Sequence, residues 1–211
     1  VCSGFQKGLN GRDYDSRTIG NSCEDVYQWG WTANEHNSRC RFRFHEPIDS
    51  QTKLQQKNVV FMGDTMTRSL YFAFCRSLGD VTAGKYDSEL PLHSEITKSF
   101  GNTKISFQWA PLTNDVVEKL KAIKPDTDLV IAGSGVLDKL HLWATDADKN
   151  SYELTLKELA KNLQFLKEKS APVVWVTPTA INTKALPNEE KRTQMSEAKV
   201  QEIRQMHIDI G

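Results

Sequence analysis

The chain of 211 residues sets 27 Lys and Arg against 27 Asp and Glu, with 38% apolar and 26% charged residues. That composition describes an ordinary globular protein with one sizeable core, and it excludes the disordered, collagen-like and disulfide-packed miniprotein classes. The neutral balance argues against a broad footprint for nucleic acid or anionic membrane, and no apolar run approaches the ~18–20 residues that span a bilayer.

Residues 1–56 read as an irregular lead-in packed on a main domain over 57–211. The chain opens on Val1 without a signal-like stretch, so it reads as a mature or trimmed segment with any signal or anchor outside it. Of its four cysteines, Cys2, Cys23 and Cys40 fall in the first forty residues, and Cys75 follows later. Four cysteines allow three pairings, and spacing alone does not choose among them. A weakly periodic segment rich in Gly, Asn, Ser, Arg and Asp cannot hold itself down by burial. Disulfides in an oxidising compartment are the usual remedy, free thiols in a reducing one the alternative. No Cys/His cluster has zinc spacing, so no metal is expected.

From Lys57 the texture changes to alternating strand and helix. Asn58–Met62 is a short apolar run of the buried parallel type, ending in Gly63-Asp64. The following helix carries Met66, Leu70, Phe74 and Leu78 at four-residue spacing, read as its inward stripe. Gly79–Phe100 reads as a long loop. Lys104–Trp109 alternates as a strand closed by Pro111, and Asp115–Ile123 is a short helix ended by Lys124-Pro125. Asp128–Ala132 is the next apolar strand, running into Gly133-Ser134-Gly135. Tyr152–Lys169 is the strongest helix, with Leu156, Leu159, Leu163 and Leu166 as its stripe and Ser151 as N-cap. Val173–Val176 is a further strand, and Glu189–His207 a final helix with Val200, Ile203 and Met206 inward. Such units imply a three-layer α/β/α sandwich around a central parallel sheet, with ligands at the carboxyl ends of the strands.

The bend after the first strand carries the chemical signal. Thr65 would stand at a helix N-terminus, where backbone N–H groups and the helix dipole favour developing negative charge. Gly63 permits the turn, Asp64 ties it by accepting N–H bonds, and Arg68 lies one turn on. The alternative is a plain βα turn with an Asp-Thr cap. His207, at a helix end, reads as a cation complementing the dipole. His36, His45 and His93 sit in polar loops without signal. Trp29, Trp31, Trp109, Trp143 and Trp175 read as packing anchors, the lining of a sugar groove being the alternative.

Gly63-Asp64-Thr65-x-x-Arg68 resembles the Gly-Asp-Ser-x-x-Arg block of the SGNH/GDSL-type polysaccharide O-acetyltransferases and acyl esterases, the PC-esterase group. The chain is most similar to the luminal domain of the Golgi sialic-acid and capsule-polysaccharide O-acetyltransferases, and more distantly to plant cell-wall O-acetyltransferases. Ser22-Cys23-Glu24, Phe107–Pro111, Asp128–Gly133 and Val173–Val176 resemble further family segments. The resemblance implies an SGNH-hydrolase-like sandwich behind a disulfide-linked lead-in, with Cys2 paired to Cys40 and Cys23 to Cys75. It implies an O-acetyltransferase or acetylesterase acting on a glycan hydroxyl, with Thr65 at the nucleophile position and Asp64 and Arg68 beside it. Gly63, Gly133, Ser134 and Gly135 would supply the oxyanion surroundings. It implies no cofactor, an acetyl donor entering only as substrate. Its partners would be a glycan or acylated sugar and a larger membrane or extracellular assembly, with no nucleic acid. Its location would be the secretory lumen or the exterior, with any membrane anchor outside this chain.

Two departures stand out. The family's Ser is Thr65 here, whose methyl crowds a tight turn and restricts χ1. The chain stops at Gly211, about where the strand before the family's terminal Asp-x-x-His block would begin, so that block is either missing from this segment or does not exist. Asp138-Lys139-Leu140-His141 has the same letters at another place, which makes His141 a candidate base only if the triad is rearranged. The alternative function is a catalytically inactive SGNH-like domain, kept as a carbohydrate-binding or assembly module.

Overall fold

A computed structural model describes residues 46–84, 91, 93–141, 146–168 and 172–210, with the side chains of 140, 141 and 146–148 excepted, and two short strands nearer the N-terminus. The chain divides into two compact units, Val1–Phe44 and His45–Gly211. In the first, β1 (Phe5–Gln6) pairs antiparallel with β2 (Gly30–Trp31). Cys2, Cys23 and Cys40, with the pairing expected between Cys2 and Cys40, lie outside the described residues.

The second unit runs α1 (Pro47–Lys53), β3 (Asn58–Gly63), α2 (Thr65–Ser77), β4 (Ile96–Phe100), β5 (Thr103–Trp109), α3 (Thr113–Lys121), β6 (Leu129–Gly133), α4 (Val136–His141), α5 (Asp146–Glu168), β7 (Val173–Val176), α6 (Glu189–Gln194) and α7 (Glu197–Asp209). Its sheet has the order β4-β5-β3-β6-β7. The last four strands in that order are mutually parallel, and β4 pairs antiparallel with β5 at the edge. The sheet is therefore mixed rather than purely parallel.

Side chains alternate faces along a strand, so β3 alone seeds two cores. Val59 and Phe61 face Tyr71, Phe72, Cys75 and Leu78 of α2 and its C-cap, together with Ile105 and Phe107 of β5. Val60 and Met62 face the other way, onto Val116, Val117 and Leu120 of α3, Leu156 and Leu159 of α5, and Ile203 of α7. Helices thus cover both faces, and β3 reads as an unbroken apolar run because both sides are buried.

Several expectations change. The stretch expected to be a loop ends in β4, where Ile96, Lys98 and Phe100 are half-buried and Thr97 and Ser99 are exposed. The stretch expected to be irregular contains α1. The final helix is two, with α7 starting after Ser196 and a break at Met195. On α2 the inward residues are Thr67, Arg68, Tyr71, Phe72 and Cys75, whereas Met66 and Leu70 are 48% and 40% exposed. Cys75 is a buried free thiol, so the pairing expected with Cys23 is not made. It lies wholly inside the α2 core, where the same burial pushes the thiol pKa up.

Candidate functional site at the carboxyl rim of the sheet

The parallel register brings Gly63, Trp109, Gly133 and Val176 to one rim, Gly63 pairing with both Trp109 and Gly133, and Gly133 with Val176. The chain turns from β3 into α2 over a single residue, Asp64. A Cβ on Gly63 would lie 2.2 Å from the Gly133 carbonyl oxygen and 2.4 Å from Thr67 Oγ1, at a φ of +152°. Only glycine fits there. Asp64 is the N-cap of α2, its Oδ1 accepting from Met66 N at 2.9 Å and Thr67 N at 3.4 Å. Burial pushes the Asp64 carboxyl up, and the backbone N–H bonds oppose that rise. Thr67 Oγ1 donates to the Gly133 carbonyl at 3.3 Å and so fastens the first turn of α2 to the end of β6.

Thr65 is the first helical residue, and its side chain is exposed. The N–H of a first helical residue has no intrahelical acceptor, so both its backbone donor and its hydroxyl belong to the open rim. Arg68 is buried, its guanidinium carbon 5.5 Å from the centre of the Phe72 ring.

The end of β6 and the loop after it hold Gly133, Ser134 and Gly135, the residues expected in the oxyanion surroundings. Ser134 is buried, and its hydroxyl lies 2.8 Å from Thr113 Oγ1 rather than at the rim. Gly135, at φ +115°, packs against the His207 ring, so a Cβ there would lie 2.9 Å from Cε1. Asp138 is also buried and caps α3 from outside. Its carboxylate accepts from Thr113 N at 3.0 Å on each oxygen, and from Thr113 Oγ1 at 2.9 Å. Burial pushes its pKa up, against those hydrogen bonds. Asp138 is therefore committed to Thr113. His141 ends α4, and its side chain lies outside the described residues.

Sequence reading missed the group to which these residues belong. Thr113 Oγ1 lies 3.3 Å from Tyr152 Oη, Tyr152 Oη 2.6 Å from His207 Nε2, and Trp175 Nε1 donates to His207 Nδ1 at 3.1 Å. His207 is 3% exposed, and burial lowers its pKa to about 4. It is a neutral core residue, and the expected helix-end cation is overturned. No local pattern reveals this network, because its members lie on α3, α4, α5, β7, α7 and the β6 loop. His93 also gains a place: its ring stacks on Trp109 at 4.4 Å and 17°. Among the described residues no three or more His, Cys, Asp or Glu converge as a metal site, and no helix is long and apolar enough to cross a membrane.

Fold and rim together define an α/β sandwich that presents a hydroxyl on a strand–turn–helix bend. No protein-family model matches the chain. It is 24% identical over 196 residues to Protein ALTERED XYLOGLUCAN 9 of Arabidopsis thaliana, a match taking in 82% of this chain and 52% of that protein. The chain thus spans about half the length of this curated relative. Among solved structures it is similar to the crystal structure of an acetyl xylan esterase, AlAXEase, with 19% identity and a TM-score of 0.39 over 72% of this chain and 73% of that one.

Proposed function

We propose that the domain is an acyl-transfer module of the esterase or O-acetyltransferase kind, with Thr65 as the group that takes the acyl. The observation that carries this reading is the exposed Thr65 side chain at the first turn of α2, on a bend whose geometry Gly63 and Asp64 dictate. The hydroxyl would attack an ester carbonyl and give its proton to a base; the donor's acyl C–O bond would break and its alcohol leave with that proton. The acyl group would then stay on Thr65 as an ester until a sugar hydroxyl or water takes it and the proton returns to Thr65. The Thr65 N–H and the positive end of α2 would stabilise the oxyanion. Similarity to a protein named for altered xyloglucan supports a neutral wall-type glycan as the acylated substrate, and a location in the secretory pathway or outside the cell. Asp64 would hold the turn, with Arg68 buried over Phe72 one turn further along the same helix.

The test is release or transfer of acetyl from an acetylated xylo- or xyloglucan oligosaccharide by the full-length protein, followed by mass spectrometry. Thr65→Ser should keep or raise the rate and Thr65→Ala should abolish it; equal rates in wild type and Thr65→Ala would overturn the assignment.

A second reading is a glycan-binding module without turnover. One observation favours it: among the described residues no imidazole bonds to Thr65, and His207 spends both ring nitrogens on Tyr152 and Trp175. Glycan affinity without acetyl release is its signature.

A further inference from the structure

We propose that the stacked rings of His93 and Trp109 form a sugar-ring subsite beside Thr65. This deepens the reading above and rests on a glycan being brought to that rim.

Three placements support it. Trp109 is the last residue of β5 and pairs in register with Gly63, two residues before Thr65. Adjacent strands lie about 4.8 Å apart, so the Trp109 backbone is one strand spacing from the start of the bend. The Ala110 N–H donates to the Gly63 carbonyl at 2.9 Å, which fixes that neighbourhood one residue further. The Trp109 indole packs on the α2 side of the sheet, the face covered by the helix that begins at Thr65, and it is only half-buried. His93 is exposed and lies nearly parallel over it, 4.4 Å away.

The pair makes a flat apolar shelf with a polar edge. Binding sites for small polar ligands combine aromatic surface with a few placed donors and acceptors. A pyranose matches that pattern, because its C–H face lies flat on an aromatic ring while its hydroxyls point outward. The imidazole nitrogens of His93 supply a donor and an acceptor at the shelf's edge. The Trp109-Ala110-Pro111 turn brings no charge, which suits a neutral sugar. A ring seated there would hold an O-acyl group over the first turn of α2. His93 and Trp109 are thus binding residues for the carbohydrate part, separate from the group that takes the acyl.

The experiment is calorimetric titration of the full-length protein with xylohexaose and with a xyloglucan heptasaccharide. Wild type should bind, His93→Ala should raise the Kd about tenfold, and His93→Phe should recover part of the loss by restoring the shelf. Glu95→Gln, a change on the same loop at the partner of Lys119, should leave the Kd unchanged. No binding by wild type at millimolar sugar, or equal binding by wild type and His93→Ala, would overturn the subsite. A protein that binds sugar through His93 but gives no Thr65-dependent acetyl release would remove the acyl-transfer reading and leave the subsite standing.

Discussion

Trp175 fixes the proton of His207. The indole Nε1–H can only donate, so Nδ1 of the imidazole, 3.1 Å away, must accept. A neutral ring then carries its proton on Nε2 and donates it to Tyr152 Oη at 2.6 Å. Tyr152 is left free to donate to Thr113 Oγ1, and Thr113 to donate to Asp138. One indole on β7 thereby sets the direction of a buried chain that ends at the N-terminus of α3. That chain holds the segments following β5 and β6, the two strands flanking the Thr65 bend, without touching Thr65.

The first consequence is a pH dependence of stability. His207 titrates near 6.5 in the unfolded chain and at about 4 in the fold. Its stabilising contribution is full above pH 6.5 and is lost as pH falls through about 4, because the unfolded chain takes the proton first. A shift of that size amounts to about 3 kcal/mol. The buried carboxyls Asp64 and Asp138, both raised, work in the opposite sense as pH falls. The difference between wild type and His207→Gln isolates the imidazole: urea midpoints from pH 7 to 4 should fall more steeply in wild type. Parallel curves would show that His207 is not buried neutral.

Asp138 should matter to stability through Thr113. Asp138→Ala removes the cap of α3 and leaves a buried hydroxyl short of its acceptor, a loss of about 2–3 kcal/mol. Asp138→Asn keeps an oxygen for the Thr113 N–H and should cost less. Equal loss in both variants, measured by urea unfolding, would mean that charge rather than capping is what Asp138 supplies.

Gly63 tolerates no side chain. Gly63→Ala sets a methyl 2.2 Å from the Gly133 carbonyl oxygen, between two central strands that cannot part without breaking the sheet. A cost of more than about 4 kcal/mol is expected, enough to prevent folding of a domain of ordinary stability. Circular dichroism and thermal melts of the variant read this directly; a native melt would contradict the turn geometry.

The two faces of α2 should answer differently to truncation. Leu70→Ser, at 40% exposure, should change stability by no more than about 0.5–1 kcal/mol, whereas fully buried Tyr71→Ala should cost about 3–5 kcal/mol. The reverse order in chemical denaturation would restore the stripe that the sequence suggests.

That stripe shows where sequence reading succeeds and where it fails. β3, β5, β6 and β7 were legible because continuous or alternating apolar runs bounded by Gly, Pro and Asp have few other uses. The four-residue spacing of Met66, Leu70, Phe74 and Leu78 was misleading. At 3.6 residues per turn each step drifts by about 40°, so the row winds about 120° around the helix and cannot stay inward throughout. Buried polar residues take the place of its first members: Thr67 reaches Gly133, and Arg68 lies over Phe72. β4 alternates well enough to be found, but the Gly, Pro and Ser signals before it mask a short edge strand. The bend itself, with Gly63, Asp64 and Thr65, was legible from ten residues, since its chemistry is local. The His207 network and the His93–Trp109 stack were not, because each exists only once distant segments meet.

The most direct test of Thr65 as the acyl acceptor is to treat the full-length protein with a fluorophosphonate or an activated acetyl donor and map the adduct by peptide mass spectrometry. One adduct per chain, on the peptide holding Gly63-Asp64-Thr65 and absent from Thr65→Ala, is the predicted result. A folded protein that stays unmodified at that peptide, or that carries the adduct elsewhere, would contradict it.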